Sequence, residues 1–190
     1  FHTVSAPAEW FRADDVANAL RSQPGDGRVW VLPGAFTGGR YHGEGNYLML
    51  YDIDQAGGEH PNPLQRWYEY VGAGEASYVD WHNFLDGDAA FLNAANIRWI
   101  VSMARLEGAS AQFPAVRLVH GGPSALIYEN TAALPRAWLV GDVRVVDEAD
   151  GALEVLRNPV FDPRLQAVVQ EDPGVRLTPG PVAGEAVIAS

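Results

Sequence analysis

Val116-Arg-Leu-Val-His120, Gly121-Gly-Pro-Ser124 and Ala125-Leu-Ile-Tyr-Glu129, read in that order, decide the fold class. Two short runs rich in β-branched and apolar residues flank four turn-forming ones, which predicts a β-hairpin. Upstream, Ile97-Arg-Trp-Ile-Val101 has the same character and predicts another strand, with a helix before it over 84–95. Downstream, Pro135 opens a longer strand over 137–146. A short helix over 149–157 follows, with Asp150 near its start, and then a strand over 166–170. Hairpins mixed with strand–helix–strand units predict an α+β fold: a mixed, largely antiparallel sheet with several short helices packed on it.

Nearer the N-terminus, Ser5-Ala-Pro-Ala-Glu9 has the composition of a helix start. Trp10, Ala13, Ala17 and Leu20 then recur at helical spacing to about Ser22. Pro24-Gly-Asp-Gly27 ends that helix. Arg28-Val-Trp-Val-Leu32 predicts a strand stopped by Pro33-Gly34. Asn46-Tyr-Leu-Met-Leu-Tyr-Asp-Ile53 reads as a strand or buried extended segment, and 64–71 as a short helix. The expected organisation is an α+β domain over 1–172. A Pro/Gly-rich linker over 173–190 ends in Glu185-Ala-Val-Ile-Ala189, the start of a further strand.

The chain has 190 residues, enough to bury a sizeable core as one large domain or two small ones. Its cations are all Arg. Without Lys there is no Schiff base, no Walker lysine and no Ser–Lys nucleophile pair. Without Cys there is no disulfide, thiolate zinc site or cysteine nucleophile. A net charge of −11 repels nucleic acid and anionic lipid. The longest runs free of Asp, Glu and Arg are too short and too broken by Gly and Pro to span a bilayer. The chain opens Phe-His-Thr-Val-Ser, with neither Met nor a basic n-region, and reads as a piece of a longer protein.

Residues able to do chemistry are thinly spread. Gly34-Ala-Phe-Thr-Gly-Gly39 lacks the end of a phosphate loop and reads as a plain loop. Asp52 and Asp54, two apart on an expected strand, would share a face and are weak candidates for a divalent cation. Asp80-Trp-His82 is too local for a catalytic triad, and no Gly-x-Ser-x-Gly elbow accompanies it. Trp10, Trp30, Trp67 and Trp99 read as core. Trp81 and Trp138 remain as weak ligand candidates for a sugar-stacking face. Asn130 and Pro135 are expected to hold a structural loop between two strands, with Glu129 and Arg136 flanking it and able to pair across it. No catalytic residue, cofactor or metal is expected.

An ordered set of segments carries a family resemblance. It runs from Trp10-Phe-Arg-Ala-Asp-Asp15 and Arg28-Val-Trp-Val-Leu-Pro33 through Gly45-Asn46 to Pro61-Asn-Pro-Leu-Gln-Arg-Trp-Tyr68. Phe91-Leu-Asn-Ala-Ala-Asn-Ile-Arg-Trp-Ile-Val101 comes next, then Ile127-Tyr-Glu-Asn130 with Leu134-Pro-Arg-Ala-Trp-Leu-Val140. Phe161-Asp-Pro163 before Ala167-Val-Val-Gln-Glu171 closes it. This order resembles the soluble extracytoplasmic region of YfhO-type bacterial multi-spanning membrane proteins, which are similar to lipid-linked-sugar (GT-C) glycosyltransferases. The family's β-rich continuation, with its aromatic-Pro-Gly-Trp and Asp-Gly signature, is absent from this sequence. So are its membrane-embedded acidic residues.

The resemblance therefore implies a non-catalytic domain outside the cytoplasm, tethered to the rest of the parent protein. Its expected role is to assist assembly or the handling of a glycan or lipid-linked sugar, with no nucleic-acid partner and no membrane insertion of its own. The alternative readings are a carbohydrate-binding module and a glycan-active enzyme using Asp/Glu acid–base chemistry.

Overall fold

A computed structural model of the chain describes residues 11–32, 45–58, 64–70, 90–106, 115–184 and 186–188. Packing divides the chain into two compact units: Phe1–Glu59 with Trp99–Thr131, and His60–Arg98 with Ala132–Ser190.

The first unit begins with helix α1 (Asp15–Arg21). Its start is fixed by Asp14, whose Oδ1 accepts a hydrogen bond from the Ala17 amide at 3.0 Å. Val16, Ala17 and Leu20 are its buried stripe. Strand β1 (Arg28–Val31) and a 3-10 helix (Tyr47–Tyr51) follow, then β2 (Ile97–Ser102), β3 (Val116–Gly121) and β4 (Leu126–Asn130). The strands form a mixed, mostly antiparallel sheet in the order β1-β2-β4-β3. Antiparallel partners share a face, so the pairs Trp99–Glu129 and Val101–Ile127 set one side of the sheet. On that side Trp99, Val101 and Ile127 close a core with the α1 stripe, Val29, Val31 and Leu48. Each large aliphatic side chain buried there contributes about 1.5–3 kcal/mol. Trp30, Ile100 and Tyr128 are buried as well, and the last two oppose each other on the other side of the sheet.

The β3–β4 ladder contains one irregularity. Leu118 opposes Tyr128, yet His120 opposes Ile127, so Val119 is an extra residue on β3. It is a β-bulge.

The second unit holds α2 (Gln65–Tyr70), α3 (Ala90–Ala94), β5 (Asp142–Val145), α4 (Ala149–Leu156) and β6 (Gln166–Val169). β5 and β6 pair in parallel, and α4 connects them as a crossover helix. Asn96 follows α3 with φ of 58°, a left-handed conformation that Asn tolerates better than most residues. Its Nδ2 donates to the Leu134 carbonyl at 2.8 Å, while the Leu134 amide donates to the Asn93 carbonyl at 2.9 Å. The residue before Pro135 is thereby held at both of its peptide groups. In α2, Trp67 stacks on Tyr70 with ring centroids 5.7 Å apart, and burial pushes the Tyr70 hydroxyl pKa up.

The α+β class, the hairpin, and the strands at 97–101 and 166–170 agree with the sequence reading. Three expectations are corrected. The apolar run at 46–53 is a 3-10 helix, and Asp52 follows it with φ of 58°, so no strand runs through Asp52 and Asp54. The strand expected over 137–146 is confined to Asp142–Val145. Upstream of it the Trp138 indole N–H donates to the Pro163 carbonyl at 2.7 Å, and the chain at Gly141 lies against residues 178–180. The strand expected at 185–189 is not seen at Ala186, Val187 or Ile188, which lie in no ladder. The helix start at 5–9 and most of the helix at 84–95 lie outside the described residues. Among the described residues, no helix is long and apolar enough to cross a membrane.

Candidate functional site where α1 meets the β3–β4 turn

Strand alternation would place His120 on the same face as Leu118, away from α1. The extra residue Val119 reverses that. His120 comes into register with Ile127, on the face that packs against α1. There its Nε2 lies 3.2 Å from Oδ2 of Asp15, the first residue of the helix. Ser124, two residues past Gly122 in the turn, also hydrogen-bonds to Asp15 through both its side chain and its backbone. Two polar side chains, one from β3 and one from the turn, thus meet at the Asp15 carboxylate of α1.

Gly122 makes that meeting sterically possible. A Cβ at position 122 would collide with the Asp15 carboxylate and come within 2.7 Å of His120 Nε2. The Asp15 and His120 side chains keep about a quarter of their surface in solvent, so the cluster is semi-exposed. Partial burial pushes the Asp15 carboxyl up. The hydrogen bonds from Ser124 and His120 outweigh that effect and hold the group below its usual range. Asp15 is ionised at neutral pH and accepts from both partners. A Ser–His–Asp relay needs the imidazole between hydroxyl and carboxylate. Here the carboxylate is in the middle, which suits clamping the turn onto the helix better than activation of Ser124.

The residues expected from the sequence are distributed as follows. Glu129 is buried on β4, and its Oε2 accepts from Arg117 Nε at 3.0 Å and Nη2 at 2.7 Å, across the β3–β4 ladder. Arg117 was not singled out from the sequence. Glu129 belongs to the first unit and Arg136 to the second. Asn130 is buried opposite Val116 at the end of β4. Next to it, the Thr131 amide and hydroxyl both donate to the Ala115 carbonyl, at 2.9 and 3.0 Å. Pro135 is exposed, in the loop that Asn93 and Asn96 hold through Leu134. Asp52 and Asp54 are exposed, and the Asp54 carbonyl accepts from the Val29 amide at 2.8 Å. Trp138 is half-buried, its N–H engaged by Pro163. Trp81 lies outside the described residues, as does the Asp80-Trp-His82 sequence.

Comparison of the chain with family models, with curated proteins and with solved structures finds no match in any of the three. The Asp15–His120–Ser124 cluster thus rests on geometry alone.

Sequence reading missed the cluster because Asp15 and His120 are 105 positions apart. One local signal existed. Leu118 and Val119 are adjacent apolar residues in a run that otherwise alternates, the pattern a bulge produces just before His120.

Proposed function

We propose that this chain is a non-catalytic domain of a larger bacterial membrane protein resembling the lipid-linked-sugar glycosyltransferases. It stands on the extracytoplasmic side and assists assembly or substrate handling by its parent. One observation carries the reading. Two segments of the resemblance, Phe91–Asn96 and Leu134–Arg136, are joined to each other: Leu134 is gripped by the Asn93 carbonyl and the Asn96 side chain. Two residues of another segment hold scaffold in the same way. The Tyr128 hydroxyl accepts from the Leu106 amide at 3.0 Å, and Glu129 binds Arg117. Side chains spent on fixing neighbouring loops fit a domain whose task is to present a surface.

The reading frame that encodes the chain tests this. Several apolar spans of about 20 residues in the same frame support it. A complete short frame with none overturns it. Glycan-array binding by the isolated chain, lost on substitution of Trp138, would favour a carbohydrate-binding module instead.

A further inference from the structure

We propose that residues 175–184 form a strap over the chain that leads into β5, and that this strap opens while the rest of the second unit stays folded, uncovering Leu139 and Gly141.

The strap is held by contact alone. The Gly174 amide donates to Oδ1 of Asp172 at 2.9 Å, just before the strap begins. Beyond it, none of residues 175–184 takes part in a hydrogen bond to a described residue or in a ladder. All of them but 177 and 180 are exposed. Beneath them Gly141 is buried, and the three atoms nearest to where its Cβ would stand belong to Thr178 and Gly180. Gly184 lies against Cδ1 of Leu139. The strands under the strap are held differently: the Asp142 and Val146 amides donate to the Leu165 and Val169 carbonyls at 3.2 and 2.9 Å. A segment without hydrogen bonds and with few buried contacts opens at a small fraction of the cost of global unfolding.

The ends of the strap are suited to turning. Gly174 has φ of 68° and nothing within 4 Å of where a Cβ would stand, and Gly184 has φ of 153°. Both are conformations that glycine adopts freely, so rotation there carries little steric cost. Between them Pro179 and Pro181 fix φ on either side of Gly180, which keeps the middle of the strap stiff.

Trypsin digestion of the full chain tests this, because without Lys the enzyme cuts after Arg only, and the strap holds a single one, Arg176. Cleavage of a folded chain follows the population of its open form, so the cut after Arg176 is expected at least about tenfold faster than cuts after Arg144 in β5 or Arg157 in α4. The product 1–176 keeps slow exchange at the Asp142 and Val146 amides. Gly141→Ala crowds the strap and speeds the cut after Arg176 by at least about threefold, with little change at Arg144. Equal rates at Arg176 and Arg144 overturn the proposal, since the strap then opens only with the whole unit. Loss of slow exchange at Asp142 and Val146 in 1–176 overturns it too, because the strap is then part of what holds β5 to β6. So does a cut after Arg176 that ignores Gly141→Ala, which would mean that the strap is not seated on Gly141. If the variant fails to fold, the rates and the exchange of the unsubstituted chain decide alone.

Discussion

Asp15 does two jobs at one position. It lies in the first turn of α1, where the helix dipole favours a negative charge, and it receives hydrogen bonds from His120 and Ser124. Its folded pKa is below the unfolded value of 3.8, so the folded state releases this proton more readily than the unfolded one. The contribution to stability is complete above about pH 5 and is lost as pH falls through 3.8 toward the folded value. Unfolding in denaturant at pH 6 and pH 3 should therefore show a smaller difference between the two pH values for Asp15→Asn than for the unsubstituted chain. Equal differences would mean that the hydrogen bonds to Asp15 contribute nothing. At this scale the sequence was least legible. The partners of Asp15 and Glu129 come from other elements, and ladder register, which depends on two strands together rather than on either alone, brings Arg117 opposite Glu129.

Among elements, legibility followed the strength of local signal. The strand at Ile97–Ser102 is nearly all buried, and its run of Ile, Trp, Ile and Val could be read directly. The Gly-Gly-Pro-Ser turn gave the hairpin. The run Tyr47–Tyr51 gave the wrong element because a short apolar segment fits strand and helix equally well. Its tyrosines settle the matter in three dimensions: the Tyr51 hydroxyl donates to that of Tyr47, which donates to the Arg12 carbonyl. The bulge supplies the prediction at this scale. Deleting Val119 restores strict alternation and turns His120 to the opposite face of β3. It should leave the hairpin formed but cut the link to Asp15. Expected are a loss of about 1–3 kcal/mol in denaturant unfolding and a His120 ring signal insensitive to Asp15→Asn. A deletion variant whose His120 still responds to that substitution would contradict the register argument.

At the scale of the whole molecule, the chain leaves its first unit after residue 59, returns at residue 99 and leaves again after residue 131. Such interleaving has no composition signature: the crossing at 98/99 falls inside the strand Ile97–Ser102, and the one at 131/132 within a turn. The Pro/Gly-rich stretch from 173 was legible as irregular chain, but not its packing. A Cβ on Gly141 would lie 2.5 Å from the carbonyl oxygens of Thr178 and Gly180. Gly141→Ala should therefore push residues 178–180 away, destabilising the chain by about 1–3 kcal/mol and speeding amide exchange there. Unchanged exchange would show that the contact is loose. The extra residue at Val119 has a consequence at this scale as well. β3 is the outermost strand of its sheet, and Leu118 and Val119 keep 42% and 38% of their surface exposed. A regular edge with two such residues would be a template on which other chains could polymerise. The bulge breaks the repeat of amides and carbonyls that an incoming strand would have to match. The residue that turns His120 inward thus also guards a concentrated solution of this protein against aggregation.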